Sequence, residues 1–462
     1  MSEEAKIAAA DSLLGKLQRG HGAGYLAARQ EKPETIWPLL VECMTQDPRL
    51  DKQVESRDGF FAALVIETGM ELKPLATHLY EHDDKDQSSW NTPLTVTTLG
   101  SLAKRNYQNA VEILRDYVAW GNWWNWAIDE LVSTQTLEAR ADLDEVFCQR
   151  LGNDESIKEE LAWFDPEAEP WNTWCKQNSR LNRLVGSLKK QAVNSAQHEK
   201  HDYSNLTVGD VLRLAGQDTR ICGKLRKNIV HLVKPADFEF LLSQVSIAEP
   251  ERSAVALAGL TKLANPNMFD WLRDFWANNP EMPPGGLRIR AEEAMLALPP
   301  SRTLPLAREW INHSEWHLRV LAEEVLEHHA TLDDVPLLRE AIASALADDE
   351  DNIYRLCNLI EAFKHLPALG RIPELECTFV EFRYSYGRAR AAEALLAIDK
   401  DFFVQTFAHE CLWDCEETTR ELACSTVNSP FSTEASERLT QLSKAGWEDE
   451  AVRNAAIKRL SP

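Results

Sequence analysis

The sequence predicts an all-α fold, an α-solenoid of stacked antiparallel helix pairs. Three observations predict it. An arginine followed by small and apolar residues recurs every 31 to 36 residues between Arg220 and Arg453. Within each copy the apolar residues fall three or four apart, which places them on one helix face. Ala, Leu, Glu and Arg, which lose little side-chain freedom in a helix, are abundant, and strand formers are concentrated nowhere.

The organisation reads as three parts. Residues 1–150 are expected to form degenerate helical repeats, with first helices near 57–64, 95–102 and 124–131 and second helices near 73–80 and 110–118. Residues 151–206 read as an irregular insert, because Asp165 to Pro170 carries two prolines and His198 to Asn205 is polar. Residues 207–462 carry the regular array and a polar C-terminal cap.

The array explains its own residues. Arg288, Ala291 and Ala294 in one copy align with Arg319, Ala322 and Val325, then with Arg388, Ala391 and Ala394. Small residues let the next helix approach, so Ala391 is expected in the core. An acid precedes the arginine by one turn at Glu315, Asp351, Glu416 and Asp449. Such i,i+4 pairs are expected to contribute about 0.2–0.5 kcal/mol each. Second helices are expected near 267–278, 304–312, 333–346 and 402–411. Neither helix of a pair buries its face alone, and stacking buries both.

This arginine–alanine helix with its preceding acid resembles the HEAT-like repeats first associated with bacterial phycobilin-lyase subunits. The resemblance covers about residues 215–460 and reaches the N-terminal part only loosely. It implies a solenoid fold. The functions it implies span scaffolds, inhibitors, chromophore-attachment factors and DNA-base glycosylases, so the fold does not choose among them.

Composition narrows the field. The formal charge of -23 repels phosphate backbones and anionic lipid surfaces overall. Nine scattered cysteines suit reduced thiols rather than a disulfide framework. Glu3 and Glu4 stand where a secretion signal carries positive charge, and no run reaches a membrane span. A soluble, cytoplasmic protein is expected, with no membrane contact.

Charge is uneven. Between Lys176 and Lys234 twelve basic residues face four acids. Two readings are open: self-complementarity with acidic neighbours, or a dock for an acidic protein or a nucleic acid. The candidate binding residues are Arg180, Arg183, Lys189, Lys190, Arg213, Lys224, Arg226 and Lys227. A second set, on the second helices, is expected to line a concave surface: Arg273, Asp274, Arg308, Glu309, Arg339 and Glu340.

Other clusters read as packing. Trp120, Trp123, Trp124 and Trp126 precede Asp129 and Glu130, and could stack a base, but no basic groove surrounds them in sequence. His409, Cys411, Cys415 and Cys424 lack the paired spacing of a structural zinc site. His313 and His317 have helical spacing, yet the glutamate between them is misplaced for a zinc protease. The glycines Gly20, Gly22 and Gly24 follow no strand, which a nucleotide loop requires. No catalytic residue, metal or cofactor is expected. The first functional expectation is a non-enzymatic scaffold or adaptor for a protein partner. The second is a nucleic-acid-binding or base-processing protein using residues 176–234, and the third a chromophore-attachment factor.

Overall fold

The computed structural model describes residues 6–84, 90–134, 136–163, 168–196, 206–280, 286–347, 353–366, 369–428 and 431–461, without the side chains of 137 and 190–196. Asp351, Gly285, Lys200 and the side chain of Lys190 lie outside these residues. So do half of the expected break at 165–170 and all of 198–205. Among the described residues every regular element is helical, and none is long and apolar enough to cross a membrane. The fold is all-α, built of stacked helix pairs.

The chain forms two compact units. One comprises Met1–Glu199, Phe379–Glu393 and Asp401–Pro462, the other Lys200–Thr378 and Ala394–Lys400. In the second unit the first helices Cys222–Leu232, Pro250–Leu263, Gly286–Leu296, Trp316–His329 and Ile353–Lys364 pack on one another in order. Met268–Ala277, Pro300–Trp310 and Val335–Ala347 are the second helices between them. This skip-one packing is the solenoid pattern. It buries Ala254, Leu257, Ala291, Ala294, Ala322 and Val325 almost completely. In the first unit Asp58–Thr68, Thr92–Lys104 and Trp124–Ser133 stack likewise, with Lys73–His82 and Gln108–Trp120 as second helices. Ala391 is fully buried there. The stretch 151–206 contributes helices Asp154–Leu161, Trp171–Gln177 and Ser179–Ala196.

The recurrent arginine does not make the expected i,i+4 ion pair. Glu315, Glu416 and Asp449 are the N-cap residues of their helices, with extended or near-extended backbone. Their side chains therefore leave the helix face that the arginine occupies. The carbonyls of these caps accept the first helical bonds from the arginine amides at 3.3, 3.0 and 3.0 Å. The guanidinium instead reaches back over the cap. Arg319 Nη1 donates to His313 O (2.7 Å) and Ser314 O (2.8 Å). Arg420 Nη1 does the same at Asp414 O (2.8 Å) and Cys415 O (2.6 Å), and Arg453 at Glu448 O. The carbonyls of each turn thereby gain a donor that packing would otherwise deny them.

Carboxylates meet the same arginines from neighbouring repeats. Arg420 Nη2 lies 2.6 Å from Glu448 Oε1, Arg388 Nη2 lies 3.2 Å from Asp414 Oδ2, and Arg355 Nε lies 2.5 Å from Glu323 Oε1. The ladder between units of the repeat thus exists, with partners about one repeat away instead of one turn away.

N-terminal and C-terminal repeats share the first unit through a buried polar knot. Arg57 donates to Gln18 O, to Glu55 Oε2 (2.5 Å) and to Arg383 O (2.9 Å). Arg388 donates to Arg19 O, and Arg19 Nε to Glu381 O (2.9 Å). The Ser385 amide donates to Glu55 Oε2 at 2.8 Å. The Ser385 hydroxyl lies 2.8 Å from Glu55 and also contacts Glu416. One hydroxyl carries one proton, so a carboxyl of this trio must supply the other. Burial, with Asp414 nearby, pushes Glu416 up to about 7, whereas Arg57 and Ser385 overcome burial and hold Glu55 below the usual range. Of the two carboxyls, Glu416 is the one that takes up a proton more readily.

The glycine-rich segment serves this contact. Gly20 has φ +68° and its carbonyl accepts from the Cys415 amide at 2.9 Å. A β-carbon at Gly22 would run into the Glu410 carbonyl, and one at Gly20 into the Cys415 sulfur. Glycine is needed here because two backbones touch.

Two outcomes follow from this packing. Gly22→Val should lower the denaturation midpoint through backbone overlap, by roughly 1–3 kcal/mol or more; chemical unfolding measures it, and an unchanged midpoint refutes the contact. The folded states of Glu416 and Glu410 titrate at about 7 rather than 4.5, both chiefly through burial. Between those values the folded chain holds protons that the unfolded chain releases, so stability falls as pH rises through 4.5 to 7. Burial also lowers His21 to about 4, which offsets part of this gain below 6.5. The thermal midpoint should be higher at pH 6 than at pH 8, by roughly 2–4 °C per kcal/mol, and Glu416→Gln should flatten that slope.

Candidate functional site

Helix Cys222–Leu232 carries Arg226, Lys227, Val230 and His231 on adjoining positions one turn apart. Leu225 and Ile229 are its buried face, so these four residues turn away from the core. They open onto a groove of about 550 Å³, completed by Gly223, by Ala258 of Pro250–Leu263 and by Arg290 of Gly286–Leu296. Among the described residues no carboxylate lines it. Three arginine or lysine side chains and a histidine thus converge from two first helices, with a third supplying a small apolar wall.

Glycines shape the groove. The Arg226 guanidinium lies 3.2 Å from where a β-carbon of Gly286 would stand, over the first turn of Gly286–Leu296. Arg290 bonds Glu293 on its own helix and keeps a buried Nε without an acceptor. Arg226, Lys227 and His231 have no ion-pair partner among the described residues. Beyond Arg290 the same helix exposes Ile289, and the Arg288 guanidinium sits 4.5 Å from the centre of the half-exposed Trp316 ring. The groove is cationic, with Val230 and Ala258 as apolar lining, and its described lining residues include no nucleophile–base pair.

The structure divides the basic residues flagged in sequence. Arg180 and Arg183 both bind Asp154 at 2.7 Å, which holds its carboxyl below the usual range. Arg213 binds Asp210 at 3.0 Å. Lys189 is exposed in the first unit, and Lys224 is exposed outside the groove lining. Only Arg226 and Lys227 of the eight enter the groove. Sequence reasoning passed over His231 and Arg290. The i,i+4 spacing to Lys227 signalled the first, whereas stacking of the third repeat alone brings in Arg290.

Two of the six second-helix residues are committed to neighbouring repeats. Arg308 binds the buried Asp334 at 2.6 and 3.1 Å, and Arg339 binds Glu374 at 2.8 and 3.0 Å. Arg273 lies 3.2 Å from Asp270 and 2.9 Å from Asp274. Glu309 and Glu340 are exposed.

The other clusters are structural. Trp123 is buried and donates to Asp84 Oδ2 at 3.2 Å, and its ring meets Trp90 and Trp126 edge-on or tilted. Lys104 Nζ lies 2.8 Å from Glu130, whose carboxyl fits against the bare Gly100. His317 is buried with Nε2 3.1 Å from Trp276 O, and His313 accepts from the Glu315 amide. Cys411 and Cys415 are buried thiols kept protonated by desolvation. Among the described residues the one group with metal-compatible spacing is Glu324, Glu327 and His328 on a single helix; Glu324 is already bonded by Asn358 at 3.0 Å.

Arg308→Gln should cost roughly 1–2 kcal/mol by leaving Asp334 short of a charged donor. Urea unfolding measures this; an unchanged midpoint would return Arg308 to the set of surface residues available to a partner.

No family model matches the chain, and no curated protein matches it. Among solved structures it is similar to an engineered protein at 13% identity and a TM-score of 0.22, covering 97% of this chain and 98% of that one. It is also similar to a circular tandem repeat protein with novel repeat topology and enhanced subunit contact surfaces. The identity there is 15% and the TM-score 0.11, with 97% and 87% covered. Superpositions this distant carry no argument, and the all-α assignment rests on the helices of the chain itself.

Proposed function

We propose that this chain is a non-enzymatic scaffold of HEAT-like repeats that docks an acidic segment of a protein partner in the groove of Arg226, Lys227, His231 and Arg290. The observation that carries the reading is the convergence of Arg226, Lys227, His231 and Arg290 on one groove, with no carboxylate among its described lining residues, in a chain of charge -23. Cations left without internal partners attract an external anion, and low local acidity strengthens the attraction. Val230 and Ala258 add apolar surface beside the charges, a mixed composition that suits a segment of another protein.

The same chemistry binds phosphates, so nucleic acid is the second reading. Extent decides between them. A nucleic acid tracks a long basic path, whereas here the cations occupy one groove and the flagged arginines elsewhere are neutralised by Asp154 and Asp210. A short acidic peptide fits that extent better. Chromophore attachment has no support in the groove.

The test is capture of partners from native lysate by the wild-type chain and by Arg226→Gln/Lys227→Gln, with and without nuclease. A protein retained by the wild type after nuclease, and lost at least several-fold in the variant, supports the reading. Salt should weaken that binding. Retention that vanishes with nuclease would favour nucleic acid, and retention equal in both chains would exclude the groove.

A further inference from the structure

The first unit encloses a second, smaller cavity of about 160 Å³. Its walls come from both ends of the chain. Tyr25 and Phe60 belong to helices Gly22–Ala28 and Asp58–Thr68, and Arg105 follows Thr92–Lys104. Trp413 and Trp447 flank the C-terminal helices, and Arg438 lies on Thr433–Lys444.

Most charges on its wall are satisfied from within. Asp58 accepts from the hydroxyls of Ser56 (2.6 Å) and Ser101. Glu448 is bound twice by Arg420 and once by the Asp449 amide. Lys104 faces Glu130. Asp414 faces Arg388, and Asp449 caps its own helix at Ala451.

Two guanidiniums are the exception, since their acceptors are neutral. Arg105 donates to Ser101 O at 2.8 Å and Gly59 O at 3.1 Å, stacks 3.8 Å from the Trp447 ring centre, and leaves a buried Nε without an acceptor. Arg438 is 7% exposed and donates to Leu412 O at 3.0 Å and Gln441 Oε1 at 2.7 Å; its Nη2 meets no acceptor among the described residues. The nearby Glu67 is taken by Arg29 at 2.6 Å. The Tyr25 hydroxyl, on a side chain 1% exposed, meets no acceptor at hydrogen-bond distance among the described residues, and burial together with the nearby Glu67 carboxylate pushes it up. A buried cation without a counter-ion is costly, and so is an unpaired buried hydroxyl.

We propose that this cavity binds a small oxyanion, a phosphate or carboxylate group, through Arg105, Arg438 and the Tyr25 hydroxyl between the indoles of Trp413 and Trp447. The size agrees, because the space admits a few heavy atoms and not a peptide. Burial lowers Arg105 to about 10 and pulls Arg438 down as well, the direction that a bound anion reverses. The contacts join N-terminal and C-terminal repeats, so occupancy stabilises the first unit by mass action.

The test titrates inorganic phosphate, and separately malonate, into the full chain at constant ionic strength, reading the thermal midpoint and the heat of binding. The Arg226→Gln/Lys227→Gln chain serves as background, which separates this cavity from the groove of the second unit. The expected result is a saturable rise in midpoint with at least one anion, persisting in that background. It should weaken about tenfold, close to 1.4 kcal/mol, in Tyr25→Phe, which keeps the ring and removes the hydroxyl. Arg438→Gln should abolish it. A response to phosphate alone identifies a phosphate ligand, and one to malonate alone a carboxylate. No saturable response, or the same response in wild type and Tyr25→Phe, overturns the proposal.

Discussion

An arginine that folds back over the start of its own helix is the contact on which the repeat depends. A helix N-terminus leaves amides unmet, and the turn before it leaves carbonyls unmet. In Arg319, Arg420 and Arg453 one side chain satisfies the turn while its amide opens the helical ladder. The guanidinium has donors to spare, so the same residue also meets a carboxylate of a neighbouring repeat, as Arg420 meets Glu448. Lysine has neither the planar fork nor the reach, which explains why the recurrent residue is arginine.

The first unit extends that logic across the length of the chain. Arg57 and Arg388 are almost fully buried, and each spends donors on a carbonyl from the opposite end of the sequence and on a carboxylate from its own. Glu55 and Glu416 share the Ser385 hydroxyl, so closing the knot retains a proton on one carboxyl. The first unit is therefore tied by bonds of very long sequence separation. The second is tied by neighbours alone. Long-range closure orders more chain before it returns any contact, so the two units should differ in folding cooperativity.

Charge acquires meaning only after such pairs are subtracted. The overall excess of acid is spread over exposed helix faces and says little about a partner. Two sets of cations then stand out among the described residues: Arg226, Lys227 and His231 in an open groove, and Arg105 and Arg438 in a smaller pocket, none of them in an ion pair. They differ in the ligand that fits. The groove, with Val230 and Ala258 beside its charges, suits a segment of another protein. The cavity between Trp413 and Trp447 suits a single anionic group.

The sequence by itself determined the all-α class, the repeat length and most helix positions. Local spacing governs these, and each helix writes its own three-and-four pattern. It also placed Arg226 and Lys227 in a basic segment, but could not separate them from Arg180, Arg183 and Arg213, whose neutralising acids lie near in space. The tertiary structure decided the partners of the repeat arginine, because one residue's reach across a turn leaves no periodic trace. It decided why Gly20 and Gly22 are glycines, since the Cys415 side chain and the Glu410 backbone that crowd them lie nearly four hundred residues away. It alone assembled Tyr25, Arg105 and Arg438 around one space, for hydrogen-bond satisfaction is a property of surroundings and not of residue type.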